Sequence, residues 1–200
     1  MYLSLKYFSY YDVIQKNNGS LNEFYYKEAI VMNEVLNTIK HRRSIRKYTG
    51  EIITDADLKT IIEAGFYAPT ARNIRPTHFI IVKDKEKLEG IAEAMPNARY
   101  CTDAGCAVIV CGDRDKDVDG YLTEDASAAI MNMLLAADSM GLGALWCGVY
   151  PREERVSYLR KEFSIPDNIL PVGLVLIGVA DEEKEIPERY EEEKVHCEIW

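Results

Sequence analysis

The feature that most constrains the fold is a long apolar stretch at residues 124–141, EDASAAIMNMLLAADSMG. It is apolar on nearly every face of a helix, which predicts a helix buried at the centre of the molecule. Apolar stretches of strand length lie on either side of it, at residues 77–82, 107–112, 144–149 and 172–180. Strands that alternate with helices predict a three-layer sandwich, of either the α+β or the α/β class.

Further helices are indicated by their starting residues. Thr54 with Asp57 three residues later has the spacing of a capping box, and Asp84 is a second helix cap. The first of these helices must end before Pro69. A third helix is predicted at residues 152–162, and a short one begins soon after Met32.

Residues 1–31 differ from the rest of the chain. They hold six of the thirteen tyrosines and an NNGS break; two short helices around that break are one interpretation, but the apolar pattern is poor. We interpret them as an N-terminal extension of unknown role, to which we assign no chemistry. Residues 32–200 are then the principal domain.

The charge of the chain excludes several kinds of partner. Its formal net charge is −9, so no long-range attraction would draw nucleic acids or anionic membranes to it. No apolar run approaches the roughly 18 to 20 residues that span a bilayer, and the first residues lack the pattern of a signal peptide. We therefore expect a cytoplasmic protein without a nucleic-acid or membrane partner.

The cysteines do not indicate a metal site. There are five of them, and none shows the paired C-x-x-C spacing that holds zinc or an iron–sulfur cluster. We interpret them as reduced thiols and expect no bound metal.

A basic segment in this acidic chain, KHRRSIRK at residues 40–47, is the strongest sign of a binding site. If the segment is extended, Arg42, Ser44 and Arg46 point to the same side. Two guanidinium groups and a hydroxyl suit a phosphate, because arginine donates paired hydrogen bonds to such a dianion. A solvated basic surface, or a nucleic-acid or sorting patch, is the alternative.

Two further stretches could approach a planar ligand. In YAPTARNIRPTHF, at residues 67–79, the Asn73 amide could pair with the polar edge of a heterocycle. In MGLGALWCGVYP, at residues 140–151, Gly148 leaves room for a ring to lie against main chain. The G-x-G of this second stretch follows a helix and precedes a strand, which is the reverse of a Rossmann dinucleotide site.

In this order and spacing, the motifs resemble those of the FMN-dependent nitroreductase family. The resemblance covers residues 32–200 and includes RRSIRKY, APTARN, LGALWCGVYP, and PERY with VHCEIW near the end. It implies an α+β fold, a three-layer α/β/α sandwich with FMN as cofactor. The chain departs from the pattern at Arg75 and Thr77, where many members have Gln and Trp, which leaves the substrate pocket open.

The resemblance also implies which residues bind FMN. The phosphate would be held by the basic segment and by a basic residue near the C-terminus. The loop after the second helix would contact the flavin, usually across a dimer interface, and the glycine-containing strand would lie along the ring. The predicted FMN-binding residues are Arg42, Arg43, Ser44, Arg46, Pro69, Thr70, Asn73, Trp146, Cys147, Gly148 and Arg189.

A function follows from the same resemblance. It implies an oxidoreductase that uses NADPH or NADH to reduce nitroaromatics, quinones or related acceptors by ping-pong hydride transfer, with no catalytic side chain. It further implies a homodimer with FMN at the interface, in which VHCEIW would embrace the partner. Another flavin reaction, such as dehalogenation, flavin destruction or desaturation, and a non-catalytic flavin-binding protein remain alternatives.

Overall fold

A computed structural model describes residues 33–117 and 119–200, so the predicted extension at residues 1–31 lies outside the described part of the chain. The chain divides into two units, one ending at Lys40 and the other spanning His41–Trp200. The described part of the first unit forms most of helix α1, Glu34–His41. Asn33 caps this helix, since its side chain accepts the N–H of Leu36 at 3.1 Å.

The second unit is built on a four-stranded sheet. Its strands are β1 (Thr77–Val82), β2 (Cys106–Asp113), β3 (Gly143–Gly148) and β4 (Ile169–Gly178). They lie in the order β1-β2-β4-β3, and every neighbouring pair is antiparallel. The four strands expected from the sequence are therefore confirmed, and the antiparallel pairing confirms the α+β class.

The helices of the second unit are α2 (Asp55–Phe66), α3 (Lys85–Ala94), α4 (Cys101–Ala104), α5 (Leu122–Ser139) and α6 (Glu153–Phe163). The predicted caps are confirmed: Thr54 accepts the N–H of Asp57, and Asp84 accepts the N–H of Lys87. The sequence analysis missed α4, because four residues are too few to show a helical period.

Helices cover both faces of the sheet, as two glycines of β4 show. A Cβ atom at Gly173 would lie 2.6 Å from the Ile130 side chain of α5. A Cβ atom at Gly178 would lie 2.5 Å from the carbonyl oxygen of Ala104 in α4. Because both faces are covered, β2 and β4 are almost wholly buried and are apolar at successive positions.

Helix α5 is the central helix that the sequence predicted, shifted by two residues. Its buried stripe, which includes Ile130 and Met133, packs on the sheet and on α2. Its remaining apolar side chains, among them Met131 and Leu135, are only half-buried. None of the helices among residues 33–117 and 119–200 combines the length and the apolar character that a bilayer crossing demands.

Candidate functional site

The candidate site is a cleft of about 510 Å³ between the basic segment, α5 and the end of β3. We call it the cationic cleft. Arg42 and Ser44 form one side of it, and Trp146 and Gly148 form another. The rest of the wall is contributed by Thr123, Ser127, Met131, Leu134, Tyr150 and Val172.

Backbone pairing holds the basic segment beside β3. Ser44 forms a parallel bridge with Ala144, and the N–H of Ile45 donates to the Ala144 carbonyl at 3.0 Å. The Ile45 side chain turns inward, where it fills the space left by the missing side chain of Gly143. The segment is therefore extended here, and Arg42 and Ser44 face the cleft together, as their spacing predicts.

Arg42 has a buried hydrogen-bond donor that would suit a bound anion. Its Nε atom is buried and has no hydrogen-bond partner among the described residues. Burial, followed by the positive charges of Arg43 and Arg189, lowers the pKa of Arg42, while Asp138 opposes this effect. A buried guanidinium donor without an acceptor costs free energy, which an anion in the cleft would recover.

The other arginines predicted to bind FMN differ in their contacts around Arg42. Arg43 donates to the carbonyl oxygens of Arg42 at 2.6 Å and Glu185 at 3.0 Å. Arg189 is exposed, and its charge acts on Arg42. Arg46 is also exposed and lies outside the lining of the cationic cleft, and its backbone N–H donates to the Glu182 carboxylate on the neighbouring segment. Direct contact between Arg46 and FMN stays a prediction.

Lys184 is a cation that the sequence analysis missed. Its ammonium group donates to the Ser44 carbonyl at 2.6 Å and forms an ion pair with Glu182 at 3.1 Å. Burial works against ionisation of Glu182, but its bonds from the Arg46 N–H and from Lys184 lower its pKa. In the sequence Lys184 is simply a basic residue in the acid-rich stretch 181–194. Nothing in that stretch showed that it folds back onto residues 44–47.

The strand residues alternate across the cleft wall. Trp146 is 38% exposed on the cleft side and Gly148 is also exposed there, whereas Cys147 points away and is buried. The Cys147 thiol donates to the Asn97 carbonyl at 3.1 Å. Burial raises the pKa of this thiol to about 12, so it is held protonated and packs as a core residue.

Gly148 leaves an open surface beside Trp146. A Cβ atom built at Gly148 would meet no atom within 4 Å, so bare main chain faces the cleft at this point. Flat main chain next to an exposed indole suits a planar aromatic ligand. Together with the unpartnered Arg42 donor, this surface fits a molecule that joins a phosphate to a planar ring, as FMN does.

The predicted loop residues lie elsewhere in the same chain. Pro69 and Thr70 line a second cleft, of about 490 Å³, which we call the loop cleft. Its floor includes Asp125, which is buried and accepts the N–H of Ala71 at 2.9 Å. Helix α5 contributes to both clefts, with Thr123 and Ser127 in the cationic cleft and Glu124, Asp125 and Ala128 in the loop cleft.

Asn73 and Arg75 form a local pair next to the loop cleft. The Arg75 Nε donates to the Asn73 side-chain oxygen at 3.0 Å, and the Arg75 N–H donates to the Thr70 hydroxyl oxygen. Arg75 thus fixes the loop in this chain, and the side-chain oxygen of Asn73 already accepts a hydrogen bond from it. Among the described residues no group of His, Cys, Asp and Glu side chains could hold a metal ion.

Comparison with protein families gives a match to a family model. The model of the Nitroreductase family matches residues 39–99 and 97–179, which include the cationic cleft and both strands of its wall. A Methanothermobacter thermautotrophicus protein with the provisional name NADH dehydrogenase/NAD(P)H nitroreductase is 40% identical over 168 residues. That alignment covers 84% of this chain and 88% of the relative.

Solved structures agree with this match. A Parabacteroides distasonis protein with the same provisional name is 39% identical with a TM-score of 0.81, over 84% of this chain and 99% of the other. An FMN-dependent nitroreductase from Clostridium difficile R20291 is 30% identical with a TM-score of 0.77, over 82% of this chain and 98% of the other. The three-layer α+β fold is thus shared with nitroreductases.

Proposed function

Because the chain belongs to the nitroreductase family, we propose that it is an FMN-dependent oxidoreductase that passes electrons from NADPH or NADH to small-molecule acceptors. The observation that carries this proposal is the buried Nε of Arg42, which has no hydrogen-bond partner among the described residues, in a cleft that Trp146 and Gly148 also line. Nitroaromatics and quinones are the acceptor classes that we propose.

The protein's part is to bind and orient the cofactor. Arg42 and Ser44 would hold the FMN phosphate, with Arg43, Arg46 and Arg189 adding to the positive field. The main chain at residues 146–148 would lie along the ring. Bound FMN would supply the redox chemistry, taking hydride from a reduced nicotinamide and delivering electrons to the acceptor.

A cytoplasmic location is part of the proposal. Cys101, Cys106, Cys111 and Cys147 are buried free thiols, and burial raises the pKa of each. Free thiols are typical of a reducing compartment, which is also where NADPH and NADH are available.

We expect the two substrates to use the cationic cleft in turn. With one face of the flavin ring against the main chain at residues 146–148, only the other face of the ring would be open to a planar partner. Initial rates measured over a grid of NADPH and quinone concentrations should therefore give parallel double-reciprocal lines. At high concentration the quinone should inhibit competitively against NADPH. Intersecting lines would show that both substrates bind together and would contradict a shared site.

We further propose that the protein is a homodimer in which each FMN is bound between two copies. In one chain the cationic cleft and the loop cleft lie on different sides of α5, although residues of both are assigned to FMN. A second copy that brings Pro69, Thr70 and Asn73 to the cationic cleft accounts for this separation. The half-buried apolar residues of α5 would then be covered by the partner.

The segment at residues 195–200 is proposed to embrace that partner. Its apolar side chains Val195, Ile199 and Trp200 are between 61% and 99% exposed in the single chain. A chain that ends at Glu193 should therefore lose the dimer, as measured by light scattering coupled to gel filtration. An Ile52→Ser variant, which changes an equally exposed residue outside the segment, serves as the control. A shortened chain that remains dimeric would disprove the role of the segment.

A further inference from the structure

We propose that Arg155 is a positioning residue that raises the reduction potential of the bound flavin through the carbonyl group of Gly148. The inference rests on the proposed function, because it requires FMN in the cationic cleft. Its basis is a hydrogen bond from the Arg155 Nη1 atom to the Gly148 carbonyl oxygen at 2.7 Å. Arg155 itself does not line the cleft.

Gly148 is the point at which this bond can affect a ligand. It is the last residue of β3 and one of the residues that line the cleft. Since no side chain stands between its backbone and the cleft, a planar ligand would lie against the peptide groups themselves. Whatever changes the polarity of these peptide groups changes the environment of the ring.

The turn after β3 brings Arg155 back to this carbonyl. The N–H of Arg152 donates to the Val149 carbonyl at 3.0 Å, and α6 then begins at Glu153. Arg155 is thus in the first turn of a helix, where a cation is disfavoured by the helix dipole. The two glutamates of that turn follow the dipole rule, so helix stability explains Glu153 and Glu154 but not Arg155.

A second donor reaches the same oxygen. The Asn97 side-chain amide lies 3.4 Å from the Gly148 carbonyl, and the Asn97 backbone carbonyl accepts the Cys147 thiol at 3.1 Å. Two side chains from separate elements therefore converge on one carbonyl group. The charged donor is the nearer and the stronger of the two.

A cation on this carbonyl polarises the peptide group between Gly148 and Val149. The N–H of this peptide group, on Val149, donates to the Val172 carbonyl at 3.3 Å, so the cation acts on a ligand at Gly148 through the C=O end, whose negative partial charge it offsets. Two electrons and one proton taken from a reduced nicotinamide would make bound FMN more negative by one charge. Fixed positive charge near the ring would favour that state and so favour reduction. The charge of Arg155 already acts on the neighbouring residue, where it opposes the burial-driven rise in the pKa of Cys147.

The test compares the FMN-loaded wild type with Arg155→Gln and Arg155→Lys. The matched control is Arg152→Gln, which removes an exposed arginine just before the same helix. Two quantities are measured: the FMN dissociation constant, by quenching of flavin fluorescence, and the two-electron midpoint potential, by equilibration with a reference dye.

In Arg155→Gln we expect the equilibrium constant for flavin reduction to fall at least tenfold, a shift of about 30 mV to lower potential for a two-electron couple. FMN affinity should change less than threefold. Arg155→Lys should recover most of the potential, since lysine keeps the charge and can donate to the carbonyl, and Arg152→Gln should match the wild type.

An unchanged potential in Arg155→Gln with FMN bound would overturn the inference. An equal shift in Arg152→Gln would also overturn it, because the effect would then come from net charge and not from the Gly148 carbonyl. Failure of the wild type to bind FMN would instead overturn the proposed function, so the two failures can be told apart.

Discussion

Replacement of Arg42 by methionine is expected to weaken FMN binding by about 100-fold, or roughly 2.7 kcal/mol, and to leave the unliganded protein at least as stable as the wild type. The two effects have one cause. The buried Nε has no acceptor among the described residues, and Arg43 and Arg189 repel the charge, so Arg42 contributes little to folding by itself. Methionine retains the apolar stem of the side chain and removes only the donors to the phosphate.

Thermal or urea unfolding with and without FMN separates these effects. At an FMN concentration 100 times the wild-type dissociation constant, the wild type should gain about 2.7 kcal/mol, whereas the variant should gain only about 0.4 kcal/mol. Arg114→Met is the control, since Arg114 is exposed and belongs to neither cleft. A variant that binds FMN as tightly as the wild type would mean that the phosphate lies elsewhere.

Gly148→Val should abolish most FMN binding while the protein stays folded. A Cβ atom at this position meets no described protein atom within 4 Å, and the backbone has no positive φ angle, so folding should be almost unaffected. The added methyl groups would instead occupy the wall against which the ring is expected to lie. We expect the dissociation constant to rise by about 100-fold or more, roughly 3 kcal/mol, with the melting temperature unchanged to within about 2 °C.

Gly173 supplies the matched control, because it pairs directly with Gly148 across β3 and β4. There a Cβ atom would lie 2.6 Å from Ile130 and 2.7 Å from the Trp146 indole nitrogen. Gly173→Val should therefore destabilise the fold itself, by about 1 to 3 kcal/mol in urea unfolding. If Gly148→Val bound FMN normally, the ring would have to lie away from this strand.

The parts of the fold that could be predicted are those governed by local sequence. Apolar runs of four to eight residues gave the four strands, and Thr54 and Asp84 gave two helix starts, because burial and capping act over a few residues. The order of the strands depends on which ones pair across long stretches of chain. No local pattern indicates that β4 is placed between β2 and β3.

The site was predictable only where a motif was continuous. Alternation along the basic segment placed Arg42 and Ser44 correctly on one side, but Arg46, which the same alternation predicts there, does not line the cleft. Lys184 and Arg155 each donate to the backbone carbonyl of a residue that lines the cleft, Ser44 and Gly148 respectively. Such contacts are tertiary, so the local sequence around Lys184 and in helix α6 did not predict them.

The central claim is tested most directly by an anaerobic absorbance titration of the protein reconstituted with FMN. NADPH or NADH should bleach the visible flavin absorption, and a nitroaromatic or a quinone should then restore it in proportion to the acceptor consumed. Bound flavin that neither nucleotide bleaches would identify a flavin carrier or an enzyme with another electron donor. Protein that does not take up FMN at all would contradict the assignment of the cationic cleft.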